Sequence, residues 1–301
     1  MIDHSLTFTM IQLPAYIFLI AQVFTLIKTD PLIGERIFSV DYRQCPFVVS
    51  LRLKYIEGIL AYRHFCTGTV ITQRHVLTAA HCFNNRTKDN IVVYLVGYNR
   101  TEPYATRYEI DSWLTYDSWA RANGKTIKFF TNDVAIIKLS LSVNRDSITP
   151  VRLTNLNNKQ LYGTKAIIIG WLGLSYNPPA NYLMQGKVTI LTPSKSDHLV
   201  KLVANLKYDI KDNVLATYAE PYILPNNGDS GGPLLDKNNF LLGVTRGTTP
   251  NITWGDFSEE FLNLYKINIH SSVHYYREFI ENVTTLAEDN KIPILCRKSM
   301  P

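Results

Sequence analysis

Gly228-Asp229-Ser230-Gly231-Gly232-Pro233 sets a serine between an aspartate and two glycines, an arrangement with chemical meaning. Attack on an acyl carbon near neutral pH needs a nucleophile stronger than water. A serine hydroxyl serves when a neutral imidazole takes its proton. The tetrahedral intermediate then needs N–H donors aimed at its oxyanion. Glycines beside Ser230 give the backbone the freedom to turn such donors inward. The charge of Asp229 would oppose anion chemistry unless its carboxylate points away and is paired elsewhere.

Two other segments supply what Ser230 lacks. Leu77-Thr-Ala-Ala-His81-Cys82 offers an imidazole, and Asn132-Asp133-Val-Ala-Ile-Ile-Lys-Leu139 offers a carboxylate ahead of an apolar strand. A buried carboxylate fixes the imidazole tautomer and stabilises the imidazolium. Singly, each segment also reads as plain structure: a turn histidine, a strand-start aspartate, a glycine loop. Their joint occurrence in the order His, Asp, Ser is the specific signal.

Around these segments the chain alternates short apolar runs with turn clusters. Phe47–Leu53, Thr69–Thr72, Ile91–Val96, Val134–Leu139, Lys165–Gly170 and Phe240–Thr245 read as strands. Asn84-Asn85, Asn123-Gly124, Asn226-Asn-Gly228 and Asp236-Lys-Asn-Asn239 read as turns. That pattern predicts an all-β sandwich or barrel. From Ser271 to Leu286, apolar residues at three- and four-residue spacing predict one C-terminal α-helix, with Ser272 as its cap.

The 301 residues are 46% hydrophobic and 19% charged, which suits a folded globular chain. The net charge of +6 is spread singly rather than gathered in a patch, which argues against nucleic-acid binding. Seven histidines occur without H-E-x-x-H or C-x-x-C spacing, and no glycine-rich phosphate loop is present. No metal and no cofactor is therefore expected.

Met10–Leu26 is nearly all apolar and ends at Lys28-Thr-Asp-Pro31. It reads as the core of a signal peptide within residues 1–29, with an uncleaved signal anchor as the alternative. Four N-x-S/T sequons begin at Asn85, Asn99, Asn251 and Asn282. Four cysteines, Cys45, Cys66, Cys82 and Cys296, allow two disulfides in three connectivities. These features point to a secreted, extracellular glycoprotein.

The three segments resemble the signature motifs of the trypsin/chymotrypsin-like serine peptidases, over roughly Ile37 to Glu281. The resemblance implies two six-stranded antiparallel Greek-key β-barrels with a C-terminal α-helix. It implies His81 as general base, Asp133 as orienting carboxylate and Ser230 as nucleophile, with the N–H groups of Gly228 and Ser230 as oxyanion hole. Cys66 and Cys82 match the family's histidine-loop disulfide. Gly170-Trp171 resembles a family Gly-Trp pair. The expected layout is a propeptide at 30–36 and a peptidase domain at 37–287. Within it, barrels lie at about 37–150 and 151–270 and the helix at about 271–287, with a tail at 288–301.

The departures from the family pattern set further expectations. Cleavage after Arg36 would free Ile37 to pair with Asp229, although Ile37-Phe-Ser-Val replaces Ile-Val-Gly-Gly. Leu224 falls at the floor of the specificity pocket and implies apolar rather than basic P1 residues, while a gapped alignment would bring in Glu220. Thr245-Arg246-Gly247 replaces Ser-Trp-Gly along the substrate channel, so Arg246 either meets acidic substrate residues or points to solvent. The two disulfides that usually brace the pocket have no cysteines here, and Cys45 with Cys296 is the expected second bridge. The reading is a monomeric serine endopeptidase made as a zymogen. Its expected partners are a polypeptide substrate, protein inhibitors and an activating protease. The rival is a catalytically silent homologue that binds a partner.

Overall fold

The structure is a computed structural model that describes residues 33–34, 36–54, 64–95, 106–129, 131–144, 148–171, 183–204, 207–250 and 264–288. The expected signal peptide, the tail with Cys296, and Asn99 and Asn251 lie outside them. Among the described residues no helix is long and apolar enough to cross a membrane.

Two short strands, β1 (Ile33–Gly34) and β2 (Ile37–Val40), open the described chain. Then come β3 (Val48–Leu53), β4 (His64–Thr72), β5 (His75–Thr78), β6 (Ile91–Leu95), β7 (Thr106–Tyr108), β8 (Ile110–Thr115) and β9 (Ala135–Leu139). They form one antiparallel sheet in the order β7-β6-β3-β4-β5-β9-β8. Only Glu109 separates β7, which pairs with β6, from β8, which pairs with β9. Residues 106–115 are thus one bent strand that meets both ends of the sheet and closes a six-stranded barrel. Aliphatic runs form these strands because β-branched side chains fit a pleated, buried surface. In β9 only Lys138 is not fully buried.

The second half holds β10 (Arg152–Leu153), β11 (Lys165–Trp171), β12 (Leu183–Ile190), β13 (Val214–Tyr218), β14 (Ile223–Leu224), β15 (Pro233–Leu235), β16 (Phe240–Thr249) and β17 (Ile267–Ser272). The order β16-β15-β11-β12-β13-β17 returns to β16 and closes a second ring of six. Closure removes the sheet edges that would otherwise invite association. Outside that ring, β2 lies along β12, β10 beside β16, and β1 against β14. The expected two-barrel architecture is therefore present.

Among the described residues, four α-helices decorate the barrels: α1 (Tyr116–Ala122), α2 (Asn158–Leu161), α3 (Pro193–Ala204) and α4 (Arg277–Glu288). The sequence reading anticipated α4 alone. It also began that helix too early. Ser271 and Ser272 end β17, where they pair with Val244 and Gly243, because two strand neighbours outbid local helical periodicity. The Ser272 hydroxyl instead accepts the Tyr275 N–H at 3.4 Å in the turn that precedes α4. α4 then packs Phe279 against Tyr116 and Trp119, with ring centroids 5.7 and 5.5 Å away. The C-terminal helix is in this way fastened to the first barrel.

Candidate active site

His81 lies in a 3-10 turn, Ala80–Phe83, directly after β5. The Cys66–Cys82 disulfide ties that turn to β4, as the resemblance implied. The His81 N–H donates to Asp133 Oδ1 at 2.9 Å, and its Nδ1 lies 2.7 Å from Oδ2. Because a carboxylate only accepts, Nδ1 carries the proton and Nε2 is left to face outward. Asp133 sits below the usual carboxylate range. Burial pushes it up, but the His81 hydrogen bonds and the Arg246 charge together pull it further down.

The Asp133 loop is held from the far end of the chain. Ser271 Oγ donates to the Asp133 carbonyl at 2.7 Å. Tyr276 donates its hydroxyl proton to Asn132 Oδ1 at 2.9 Å, and Asn132 Nδ2 donates to Asp117 at 2.8 Å. Neither Ser271 nor Tyr276 stood out in the sequence as a site residue.

Ser230 is placed by its neighbours. Gly231 has φ +86°, and a Cβ there would lie 2.1 Å from Thr78 Oγ1 and 2.2 Å from the Thr67 carbonyl oxygen. The Ser230 carbonyl accepts the Thr67 N–H at 2.8 Å, and Gly231 N–H donates to the Thr245 carbonyl at 2.8 Å. The Ser230 hydroxyl donates to the Arg246 carbonyl at 3.4 Å and makes no hydrogen bond to His81 in this structure. Catalytic contacts of this kind commonly tighten only when substrate is bound.

The Gly228 peptide is fixed by a chain of donors that the sequence reading missed. Arg52 Nε donates to Ser50 Oγ at 3.0 Å, Ser50 Oγ lies 2.8 Å from His64 Nδ1, and His64 Nε2 lies 3.0 Å from the Gly228 carbonyl. A carbonyl only accepts, so Nε2 is the donor and Nδ1 receives the Ser50 proton. Thr67 Oγ1 adds a second bond to the same carbonyl at 2.8 Å. Two side chains thus hold the Gly228 carbonyl. A histidine beside Phe65-Cys66 was the available signal.

The pocket side departs from expectation. Leu224 is buried in β14, and Ile33 of β1 pairs with it. Glu220 is exposed after β13 and lines a groove with Tyr218 and Tyr222. Opposite Thr245–Thr248, β17 contributes Asn268 and His270, both fully buried. Asn268 Nδ2 donates to the Ile223 carbonyl at 2.8 Å. His270 lies between Thr217 and Thr245 hydroxyls, and burial first, then the Arg246 charge, lowers its pKa to about 3. Arg246 turns inward, its Nε 3.7 Å from Asp133 Oδ2, and does not point to solvent. Gly247 follows on β16 with open space above it.

Asp229 is buried, accepts the Asn226 N–H at 2.9 Å, and faces Gly170, where a Cβ would come within 2.1 Å of its Oδ1. Ile37 stands elsewhere, paired with Gly186 in the β2–β12 ladder, with Arg36 exposed beside it. Cys45 is a buried free thiol, and its expected partner Cys296 lies outside the described residues; burial pushes the Cys45 thiol up to about 12. Cys66, His81 and Cys82 place three ligand atoms within 4.8 Å, but the disulfide has consumed both thiols. Asn85 is exposed at a left-handed turn, while Asn282 on α4 accepts the Trp119 Nε1 proton at 3.4 Å.

Comparison with known proteins follows this geometry. The Trypsin family model matches residues 37–267. Mouse chymotrypsin-C is 32% identical over 63% of this chain and 67% of its own. Mouse transmembrane protease serine 11G is 25% identical over 82% of this chain, which spans only 54% of that relative's length. Among solved structures, mouse neuropsin, a serine protease, superposes with a TM-score of 0.61 at 21% identity, over 85% of this chain and 98% of its own. A scabies mite inactivated protease paralogue, S-D1, superposes at 0.62 with 19% identity, over 84% and 97%. At such identities these two structures speak for the fold.

Proposed function

The chain belongs to the trypsin family of serine proteases, and on that premise we propose that it is a secreted endopeptidase made as a zymogen. The observation that carries the reading is the two-point contact of His81 with Asp133, through N–H and Nδ1, beside the strand-pinned Ser230 loop. Ser230 Oγ attacks the scissile carbonyl carbon while His81 Nε2 removes its proton. The carbonyl π pair moves to oxygen, where the Gly228 and Ser230 N–H groups receive it. The imidazolium, stabilised by Asp133, gives its proton to the leaving nitrogen as the C–N bond breaks. Water repeats the sequence on the acyl-enzyme and frees Ser230.

Activation is by cleavage after Arg36. The cut detaches β1 from the rest of the chain, and with it the strand that covers Leu224. It also frees Ile37 to leave its place beside Gly186 and approach Asp229. The P1 preference is apolar, because Leu224 supplies no carboxylate at the position where a basic P1 residue would need one. Secretion is supported by the formed Cys66–Cys82 disulfide, which persists in oxidising compartments. Asn85 is the sequon best placed for a glycan.

The rival reading is a silent homologue that binds a partner. What favours it is the closed pocket, where Leu224 and Asn268 are buried. A fluorophosphonate probe separates the two, since it needs nucleophile, base and oxyanion hole together. Labelling that appears after cleavage at Arg36 and vanishes in Ser230→Ala supports the zymogen. No labelling of correctly cleaved, folded protein supports the silent homologue.

A further inference from the structure

The outer face of the second barrel carries a groove of about 730 Å³ that no step of hydrolysis uses. It exists because the edge of β12 is shared by two partners. β2 pairs with Leu183–Gly186 and β13 with Thr189–Ile190, so the ladder on that edge skips Lys187 and Val188. Ile223 of β14 rises beneath the gap, close enough that a Cβ on Gly186 would meet it at 2.6 Å. Above this apolar floor, Phe38 projects from β2 with 61% of its surface exposed. Tyr218 and Tyr222 close the other wall.

The rim is cationic. Arg36, Lys165, Lys187 and Lys195 all line the groove and all are exposed. None forms a salt bridge among the described residues. Glu220 is the one carboxylate among the lining residues. Elsewhere on this surface lysines do find acids: Lys54 meets Glu109, and Lys125 meets Glu278 at 2.6 Å. Four cations against one carboxylate, around a concave, low-dielectric floor, concentrate a positive potential. An exposed phenylalanine at the same place adds apolar surface.

From this juxtaposition we infer that the groove is a docking site for an acidic peptide segment of another protein, with carboxylates flanking an aromatic residue. The aromatic ring seats against Phe38 and Ile223, and the carboxylates meet the lysine rim. A purely polyanionic chain would satisfy the rim but leave the apolar floor in water. The site belongs to the chain before cleavage after Arg36, since β2 supplies Phe38 to its wall, and its occupancy does not use Ser230.

The test uses the full chain and a fluorescein-labelled dodecapeptide of alternating Glu and Phe pairs. Its partner peptide has every Glu replaced by Gln. Fluorescence anisotropy should show binding of the acidic peptide alone, weakening steeply with salt. Lys187→Glu and the double variant Lys165→Glu/Lys195→Glu should each lower affinity at least tenfold. Circular dichroism and thermal unfolding report on correct folding of each variant, and fluorophosphonate labelling of Ser230 after cleavage at Arg36 reports separately on the protease reading. The inference is overturned if the acidic peptide does not bind, if the Gln peptide binds equally, or if the folded variants bind as the parent does. It is also overturned if a heparin octasaccharide, which lacks aromatic groups, displaces the peptide with higher affinity.

Discussion

Arg246 Nε lies 3.7 Å from Asp133 Oδ2, the same oxygen that His81 Nδ1 approaches at 2.7 Å. Two cationic groups therefore compete for one oxygen once His81 has taken the Ser230 proton. The guanidinium neutralises Asp133 before the reaction begins and repels the imidazolium that forms during it. Arg246→Gln should raise the second-order rate of fluorophosphonate labelling by about tenfold, equivalent to about 1.4 kcal/mol. Preference at subsites beyond P1 should change little, since the side chain points inward. A slower variant would mean that Arg246 orients Asp133 more than it competes for it.

His64 acts on the oxyanion loop through the Gly228 carbonyl, 3.0 Å from its Nε2. His64→Ala leaves Thr67 as the remaining side-chain donor to that oxygen. The labelling rate of cleaved protein should fall at least tenfold, and stability by about 1–2 kcal/mol. Equal loss of thermal stability with an unchanged labelling rate would sink the assignment.

Gly231 admits no side chain. A Cβ would overlap Thr78 Oγ1 and the Thr67 carbonyl, and the φ of +86° strains any other residue. Gly231→Ala should abolish labelling and cost more than about 2 kcal/mol in urea unfolding. Wild-type labelling in that variant would contradict the loop geometry.

Two buried histidines tie stability to pH. Burial, then the charges of Lys138 and Arg74, lowers His75 to about 4; burial and Arg246 lower His270 to about 3. Their folded pKa values lie below the unfolded value near 6.5, so between those limits the unfolded chain binds the extra protons. Stability is complete above about pH 6.5 and falls on acidification, by up to about 1.4 kcal/mol per pH unit for each histidine. Urea midpoints measured from pH 7 to pH 5 should drop, and less so in His270→Asn. A flat profile would exclude both groups as protonation sites.

Cys45 should be inert in the folded protein. Its thiol is buried and pushed up to about 12, leaving little thiolate at pH 8. Iodoacetamide should modify it only after denaturation. Rapid modification of native protein, or recovery of a Cys45–Cys296 peptide by mass mapping, would contradict the free buried thiol.

Ser230, His81 and Asp133 stood out in the sequence because short motifs encode local geometry. His81 follows β5 directly, Asp133 precedes β9, and Ser230 needs Gly231 beside it. The barrels were readable because their strands are aliphatic runs between turns. What stayed hidden depends on distant contacts. Ser50, His64 and Gly228 form one relay across 178 residues of chain, from 50 to 228. Asn268 looked like any polar residue near a strand, and only the pairing of β17 with β16 brings it to the pocket. Arg246 was recognised as unusual, but its inward turn is set by Asp133, which no local pattern specifies. The start of α4 was misread because strand pairing at Ser271 and Ser272 overrode helical spacing.

Ser271 and Tyr276, which hold the Asp133 loop, are made after Ser230, 41 and 46 residues further along the chain. A nascent chain that has passed Ser230 already contains all three reactive side chains, yet lacks the struts that seat the carboxylate. The order of translation thus keeps incomplete chains from assembling the centre. A truncation before residue 271 leaves a polypeptide with the full set of motifs and no frame to unite them.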